Sequence, residues 1–306
     1  MLRFALLRIL SAIPTLIFVV ALAFMLVRAA PGGPFDDERA LPPEIEANIQ
    51  SAYHLDEPLP AQFMRYFKGL LRGDLGPSYR YREYTVSELI AEGWSASFLL
   101  GGLALVLALV VGMGAGLLAA LKRNTWVDRL VSGIAMTGIS IPVFVVAPIL
   151  VLVFAVRLGW LPASFVGGTG AGRLVLPVLA LALPLIAYIT RLFRASMIEA
   201  LQSDFVRTDR AQGLSTRSIV WHHAMQPAML PLVSYLGPAI AAVLTGSVVV
   251  ESIFGIPGLG QSFINGALNR DYTLVLGLVI FYAVLIIVLN LLVDILYGLL
   301  DPRIRR

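Results

Sequence analysis

The chain contains 306 residues, of which 58% are hydrophobic and only 14% are charged, and its mean hydropathy is +0.84. This composition excludes an ordinary soluble domain and is typical of a membrane protein with several helices. The net charge of +4 is not gathered into a basic stripe with interleaved aromatic residues, and no cysteine is present, so nucleic-acid binding, disulfides and thiol chemistry are not expected.

Six apolar runs are long enough to be membrane helices, which need about 20 residues to cross the hydrocarbon core. They cover residues 9–27, 93–121, 130–156, 174–190, 218–250 and 272–293. The first run has 19 residues without a charge, which is longer than the apolar part of a secretory signal peptide, so we expect an uncleaved first helix. The sequence therefore predicts an all-α integral membrane protein with six transmembrane helices.

The basic residues fall mostly on one side of this topology. Thirteen lysines and arginines lie before helix 1, between helices 2 and 3, between helices 4 and 5, or after helix 6. The short loops on the other side contain only Arg157, Arg173 and Arg270, with Arg28 at a helix end. By the positive-inside rule, we expect a multi-pass membrane protein with both termini in the cytoplasm.

A long segment, residues 29–92, separates the first two predicted helices. Long loops are translocated largely regardless of charge, so its eleven acidic and six basic residues do not contradict the topology. Prolines flank two amphipathic stretches at 43–53 and 60–71, which we predict to be short helices. We expect a transmembrane helix (1–28), a periplasmic loop or cap packed on the membrane helices (29–92), a membrane domain (93–300) and a cytoplasmic tail (301–306).

Motifs for catalysis or cofactor binding are missing from the sequence. No Gly-Lys pair occurs, so the chain has no P-loop for ATP. Gly112, Gly114 and Gly116 lie inside the second apolar run, where small residues allow close helix packing. His222 and His223 are adjacent and point in different directions on a helix, which does not favour a metal site. We expect no catalytic, cofactor-binding or metal-binding residue, and the chain is not expected to be an enzyme.

Three polar residues at the edges of apolar runs have two interpretations each. Glu251 follows the fifth run and either lines the mouth of a pathway or caps a turn. Asn290 and Asp294 are four residues apart on one helix face, and they serve either a structural bond near the helix end or transport.

A polar, arginine-bearing stretch begins at residue 195 and interrupts the apolar chain. Ser203 or Asp204 can cap a short helix, and Gly213 suits a helix C-terminus. The segment RTDRAQGL at 207–214 resembles the cytoplasmic coupling loop of importer permeases of the ATP-binding-cassette (ABC) class. Other matching motifs follow the same order along the chain: RAAPGGP (28–34), GDLGPS (73–78), FGIPGLG (254–260), NRDY (269–272), NLLVD (290–294) and DPR (301–303). Together they resemble the B-type permease subunits of bacterial oligopeptide importers, in the dipeptide/oligopeptide/nickel branch.

This resemblance implies a type I ABC importer permease fold for residues 93–300, with the coupling loop at about 195–226. The candidate coupling residues are Glu199, Asp204, Arg207, Thr208, Asp209, Arg210, Gly213 and Leu214. Asp209 and Gln212 depart from the alanine and lysine expected in this branch, which alters the electrostatics of the loop. The resemblance also implies a homologous C-type permease as heterodimer partner, two cytoplasmic ATPases that bind ATP and Mg²⁺, and a periplasmic peptide-binding protein.

The expected function is import of oligopeptides by alternating access, driven by the separate ATPases. Permeases of the same branch that carry dipeptides or nickel chelates are an alternative. Two different classes are an ion-coupled secondary transporter, which usually has inverted repeats and ionisable residues at the midplane, and a membrane scaffold without transport. Co-purification of nucleotide-binding subunits distinguishes the importer from both.

Overall fold

The computed structural model describes residues 2–29, 56–81, 83–166 and 170–300. Within these ranges the regular structure is helical, and the β-structure is an isolated bridge between Pro77 and Thr85. The helices are α1 (Leu2–Ala29), α2 (Leu59–Leu71), α3 (Val86–Leu121), α4 (Trp126–Ser140), α5 (Val143–Leu150), α6 (Gly172–Leu201), α7 (Asp204–Ala211), α8 (Thr216–Ser218), α9 (Met225–Phe254), α10 (Leu259–Leu268) and α11 (Tyr272–Leu300). A π-helical turn extends α5 over Val151–Arg157, and another joins α8 to α9 over Ile219–Ala224.

Four of the described helices are long and apolar enough to cross a membrane by themselves. They are Leu10–Ala29 of α1, α3, α6 and Tyr272–Ile295 of α11. Two bent pairs qualify when each is taken as one span: α4 with α5 and its π-helical turn, and Ser247–Phe254 of α9 with α10. The described residues therefore contain four to six candidate spans.

The apolar run 130–156, predicted as one membrane helix, is divided into two helices in the structure. Helix α4 ends at Ser140, and the next helix leaves it at an angle of 105°. The cause is Pro142, because a residue before proline is driven out of the helical region. Ile141 accordingly has an extended backbone with φ −94° and ψ 120°.

Other helix bounds differ from the apolar runs because capping and polar residues also join helices. Helix α3 begins at Val86, where Thr85 and Glu88 form a capping box, so the predicted domain boundary at residue 92 falls inside it. Helix α6 continues past Thr190 to Leu201, so the first residues of the predicted coupling loop are helical. The fifth apolar run, whose residues before about Ala228 we expect to lie outside the membrane, forms the regular helix α9 only from Met225, after the π-helical turn.

Close packing of α3 against α6 forms the centre of the bundle. A Cβ on Gly116 would lie 2.7 Å from the carbonyl oxygen of Thr190, and one on Gly112 would lie 2.8 Å from Ile189. Gly114 faces open space. The prediction of close helix packing is therefore confirmed for Gly112 and Gly116 and wrong for Gly114.

A buried ion pair holds α4 against α6 near their ends at Trp126 and Leu201, which we call the basic end of the bundle. Arg194 donates from Nε to Oδ1 of Asp128 at 2.5 Å and from Nη2 to Oδ2 at 2.7 Å. Asp128 also accepts the backbone N–H of Asn124 at 2.9 Å. This arrangement satisfies a carboxylate that is only 5% exposed.

At the opposite end, where α3 and α11 begin, the described part of the 29–92 segment packs on the membrane helices as predicted. Helix α2, predicted at 60–71, is present, whereas 43–53 lies outside the described residues. The buried carboxylate of Asp271 accepts hydrogen bonds from the Ser78 hydroxyl and from the Tyr79 backbone N–H, the latter at 3.1 Å. Thr273 Oγ1 donates to the carbonyl of Pro77 at 2.6 Å.

Candidate functional site

Helix α7 is the centre of the candidate site and lies at the basic end, directly after α6. Its N-cap position is Ser203, but the hydroxyl of this serine donates to the carbonyl of Ala200 at 2.6 Å and does not cap α7. The predicted side-chain cap is therefore wrong for Ser203. Asp204 stands in the first turn, where a negative charge complements the helix dipole.

Gly213 ends this helix in the conformation predicted for it. Its φ of +84° lies in the left-handed region that favours glycine. The N–H of Gly213 bonds to the carbonyl of Arg210 at 3.0 Å, and the N–H of Leu214 bonds to that of Asp209 at 3.1 Å. These two bonds form a Schellman motif, which fixes the direction in which the chain leaves α7.

The outer face of α7 is charged and open to solvent. Arg207 Nη1 lies 3.2 Å from Asp204 Oδ1, with the two side chains 76% and 96% exposed. Arg210 and Thr208 are also exposed, and Thr208 Oγ1 donates to the carbonyl of Asp204 at 3.1 Å. Because exposed ion pairs contribute only about 0–1 kcal/mol, Arg207 can leave Asp204 for another partner at little cost.

Asp209 is the acidic residue of this helix that faces inward. Its Oδ2 lies 2.8 Å from Nδ1 of His223 on the π-helical turn, in ion-pair rather than hydrogen-bond geometry. The Asp209 side chain is 17% exposed. The departure from the family pattern at position 209 therefore places its charge against His223 and away from the outer face.

Three apolar side chains in α7 or in the residues after it are exposed. Phe205 is 45% exposed, Leu214 is 37% exposed and Trp221 is 58% exposed. Sequence reasoning included Leu214 and missed the two aromatic residues. Adjacent residues of a helix point about 100° apart, so the sequence alone did not decide which of Phe205 and Val206 faces inward.

The inward side of the loop is anchored to the bundle by apolar contacts. Val206 of α7 is fully buried, as are Ile219 and Val220 at the start of the π-helical turn. Ser215 caps α8 by accepting the N–H of Ser218 at 3.3 Å. Helix α7 therefore packs on the π-helical turn, which continues directly into α9. Glu199 is exposed in the last turn of α6.

The other predicted polar residues lie elsewhere. Glu251 is fully buried at the opposite end, where Oε1 accepts the Ser97 hydroxyl at 2.6 Å and Oε2 accepts the Gly260 N–H at 2.7 Å. The Gln261 N–H also points to Oε2, at 3.3 Å. The carboxylate thus caps α10 and joins it to α3, which is the turn-capping interpretation.

Asn290 and Asp294 share one face of α11, as predicted. Together with Ser11 and Thr15 of α1 they line a cavity of about 170 Å³. This cavity is separate from α7 and from Glu251.

The adjacent histidines have separate contacts. His222 Nδ1 lies 3.1 Å from the Ser218 carbonyl, whereas His223 faces Asp209. Among the described residues, no three His, Cys, Asp or Glu side chains are grouped so that they could hold a metal ion.

The amino-acid sequence is similar to known transport proteins over its whole length. Residues 112–306 match the family described as "Binding-protein-dependent transport system inner membrane component", and residues 1–81 match the N-terminal part of such components. The oligopeptide transport system permease protein OppB of Salmonella typhimurium is 52% identical, with 100% of both chains covered. The dipeptide transport system permease protein DppB of Bacillus subtilis is 40% identical, with 100% of this chain and 98% of the relative covered. The glutathione transport system permease protein GsiC of Escherichia coli is 37% identical, with 100% and 99% covered.

Solved structures are similar in fold at low sequence identity. An inward-facing structure of the MetNI methionine ABC transporter superposes with a TM-score of 0.60 at 17% identity, covering 70% of this chain and 97% of that chain. An amino acid ABC transporter crystallised with histidines gives a TM-score of 0.53 at 20% identity, covering 71% and 94%. These likenesses concern the fold alone.

Proposed function

Because the chain belongs to the family of inner membrane components of binding-protein-dependent transport systems, we propose that it is the permease subunit of an ATP-driven oligopeptide importer. The observation that carries this proposal is the 52% identity with an oligopeptide permease over the full length of both chains. Identity falls to 40% with a dipeptide permease and 37% with a glutathione permease. Oligopeptides are therefore favoured over the alternative cargoes.

The proposed topology has six membrane spans, with the basic end in the cytoplasm. The two bent pairs count as one span each, which brings the four straight candidates to six. Both termini are then cytoplasmic, and the segment that contains α2 is periplasmic. The thirteen basic residues on the cytoplasmic side support this orientation.

Helix α7 is the proposed coupling element, with Glu199, Asp204, Arg207, Thr208, Asp209, Arg210, Gly213 and Leu214 in or beside it. Its outer face combines the exposed Arg207 and Arg210 with Phe205, and Trp221 is exposed on the nearby π-helical turn. Aromatic and arginine side chains of this kind suit a docking surface. The guanidinium groups fit carboxylates or backbone carbonyls of a partner ATPase. Movement of that ATPase would shift α7, and the packed contacts would carry the shift to α6 and α9.

The proposed assembly contains a homologous C-type permease, two ATPases that bind ATP and Mg²⁺, and a peptide-binding protein. The permease itself holds no nucleotide and is not catalytic. Nucleotide-driven closure of the ATPases favours the outward-open state, which accepts peptide from the binding protein, and their reopening favours the inward-open state. Peptide selectivity is expected to lie largely in the binding protein.

The proposal is tested by reconstituting the co-purified complex in proteoliposomes and measuring uptake of labelled tripeptide together with ATP hydrolysis. The variant Arg207→Glu/Arg210→Glu reverses both charges on the outer face of α7. We expect it to insert normally but to lose its ATPases or to hydrolyse ATP without uptake, with partial relief at high salt. Wild-type uptake and hydrolysis in this variant would exclude the face as the coupling surface.

The matched control is Arg123→Glu/Arg129→Glu, which makes the same charge change at the same end of the bundle in the segment between α3 and α4. Both arginines are exposed, as are Arg207 and Arg210. Normal coupling in this control is expected, and it separates docking on α7 from a general effect of basic-end charge on topology.

A further inference from the structure

Two cavities meet at Phe24 and Arg28, near the outer end of α1 and away from α7. The first has a volume of about 250 Å³ and lies between α1, α2, the turn at residues 74–79 and the start of α11. The second has a volume of about 420 Å³ and runs between α1 and α2, where Ala21, Met25, Pro60 and Phe63 line it. The first cavity is rich in polar groups and the second is almost entirely apolar.

Two hydrogen-bond donors at this junction have no acceptor within the described residues. The Arg28 guanidinium lies 5.5 Å from the centre of the Phe24 ring, and its Nε is buried and unbonded. No carboxylate of the described ranges lies within ion-pair distance of Arg28. The hydroxyl of Tyr66 is also buried and unbonded. Burial raises the pKa of the Tyr66 phenol well above its usual range, so this group remains a neutral donor.

The other charged groups of the polar cavity have partners. Arg65 Nη2 pairs with Glu57 at 2.5 Å, and Asp74 Oδ1 accepts the N–H of Gly76 at 2.9 Å. Arg28 and Tyr66 both contact Phe24 and line the polar cavity, where they leave an uncompensated positive charge and a spare donor. A buried donor without an acceptor is costly, so this pattern fits a site for an anion with several oxygen atoms.

The apolar cavity lies on a surface that suits lipid. Arg28 is at the end of the Leu10–Ala29 span, and its neighbours Met25 and Leu26 are 66% and 62% exposed. Arginine at such a position reaches the headgroup level. Helix α2 exposes Leu59 by 56% and Leu71 by 73%, as expected of an amphipathic helix in the membrane interface.

We propose that the two cavities together bind one anionic phospholipid. Its phosphate accepts from Arg28 and Tyr66, and one acyl chain lies in the groove between α1 and α2. A soluble anion would use the polar cavity alone and leave the apolar groove uncovered. The lipid thereby joins α2 to α1 and stabilises the segment that packs on α11.

The test measures lipid retained by the full chain, purified with its co-purifying subunits in a mild detergent and titrated with phosphatidylglycerol or phosphatidylcholine. We expect a preference for phosphatidylglycerol of about fivefold, because both lipids carry a phosphate but only phosphatidylglycerol has a net negative charge to pair with the Arg28 guanidinium. Arg28→Gln should abolish the preference. The control is Arg173→Gln, since Arg173 stacks on Phe165 at 4.1 Å in the same manner but lines neither cavity. An unchanged preference in Arg28→Gln, or equal loss in Arg173→Gln, would overturn the proposal.

Two further measurements keep the proposal testable if Arg28→Gln folds poorly. Ala21→Phe fills the apolar groove without a change of charge, and it should release the bound phosphatidylglycerol. Glycerol 3-phosphate serves as the soluble headgroup and should not compete with the lipid. Retention of lipid by Ala21→Phe, or competition by glycerol 3-phosphate at equal concentration, would refute a lipid that occupies both cavities.

Discussion

Removal of the Glu251 carboxylate should destabilise the end of the bundle where α9 turns into α10. In Glu251→Ala, the backbone N–H of Gly260 and the Ser97 hydroxyl both lose their acceptor in a buried site, although Ser97 Oγ still accepts the N–H of Leu259. A buried polar group left unsatisfied costs roughly 1–3 kcal/mol. Two such groups therefore give a loss of about 3 kcal/mol, after allowance for partial relaxation.

Glu251→Gln should be milder, at about 1–2 kcal/mol, because the amide oxygen still accepts from Gly260 while the charge assistance is lost. In thermal unfolding of the detergent-solubilised protein, about 3 kcal/mol corresponds to a decrease in the midpoint of about 6–12 °C for Glu251→Ala. Amide hydrogen exchange at Gly260 and Gln261 should accelerate in the same variant. Glu92→Ala is the control, because Glu92 is an exposed acid on α3 near the same end. Equal midpoints for Glu251→Ala and Glu92→Ala would show that the carboxylate does not hold the turn.

Three other outcomes follow from particular contacts. Gly213→Val should lower coupled transport, because a β-branched residue in the left-handed backbone conformation of Gly213 costs about 1–2 kcal/mol. Gly213→Asn should be closer to wild type, since asparagine tolerates this conformation. Equal transport by both variants at equal expression would contradict the reasoning. Asp128→Asn should lower the free energy of unfolding by about 2–3 kcal/mol, which is less than for a fully buried ion pair because the Arg194 side chain is 28% exposed. Arg129→Gln, at an exposed position, should change it little. Urea-induced unfolding in micelles measures both. Gly116→Leu should prevent the close approach of α3 to α6 and lower the yield of folded protein. Gly114→Leu should leave the yield unchanged, because Gly114 faces open space. Identical size-exclusion profiles of the two variants would argue against this packing.

Local rules predicted the elements whose cause is local. Charge-free apolar runs of about 20 residues predicted α1, α3, α6 and α11 as membrane helices, and the requirement for positive φ at a helix end identified Gly213. The bend at Pro142 was also available locally, but hydropathy over residues 130–156 is uninterrupted and masked it. Hydrophobic runs report which residues avoid water and do not report the direction of the backbone.

Nonlocal contacts were beyond sequence reasoning. The residues next to Glu251 do not indicate which groups donate hydrogen bonds to its carboxylate. The donors are the Ser97 hydroxyl and the Gly260 N–H, 154 and 9 residues away in the sequence. Likewise, Gly114 and Gly116 are equivalent by composition, and only the rotation of α3 against α6 decides which one packs. The outward position of Phe205 and the inward position of Asp209 depend in the same way on how α7 lies on the π-helical turn.

The contacts of Asp271 have a consequence for biosynthesis. Ser78 and Asp271 are 193 residues apart, so the ribosome has produced nearly the whole protein before this carboxylate exists. The turn at residues 76–80 therefore cannot be completed during early translation, because closing so long a loop must await the final segment. Nascent chains that stop before Asp271 would lack the acceptor shared by the Ser78 hydroxyl and the Tyr79 N–H, which gives quality-control proteases a means to distinguish unfinished from finished molecules.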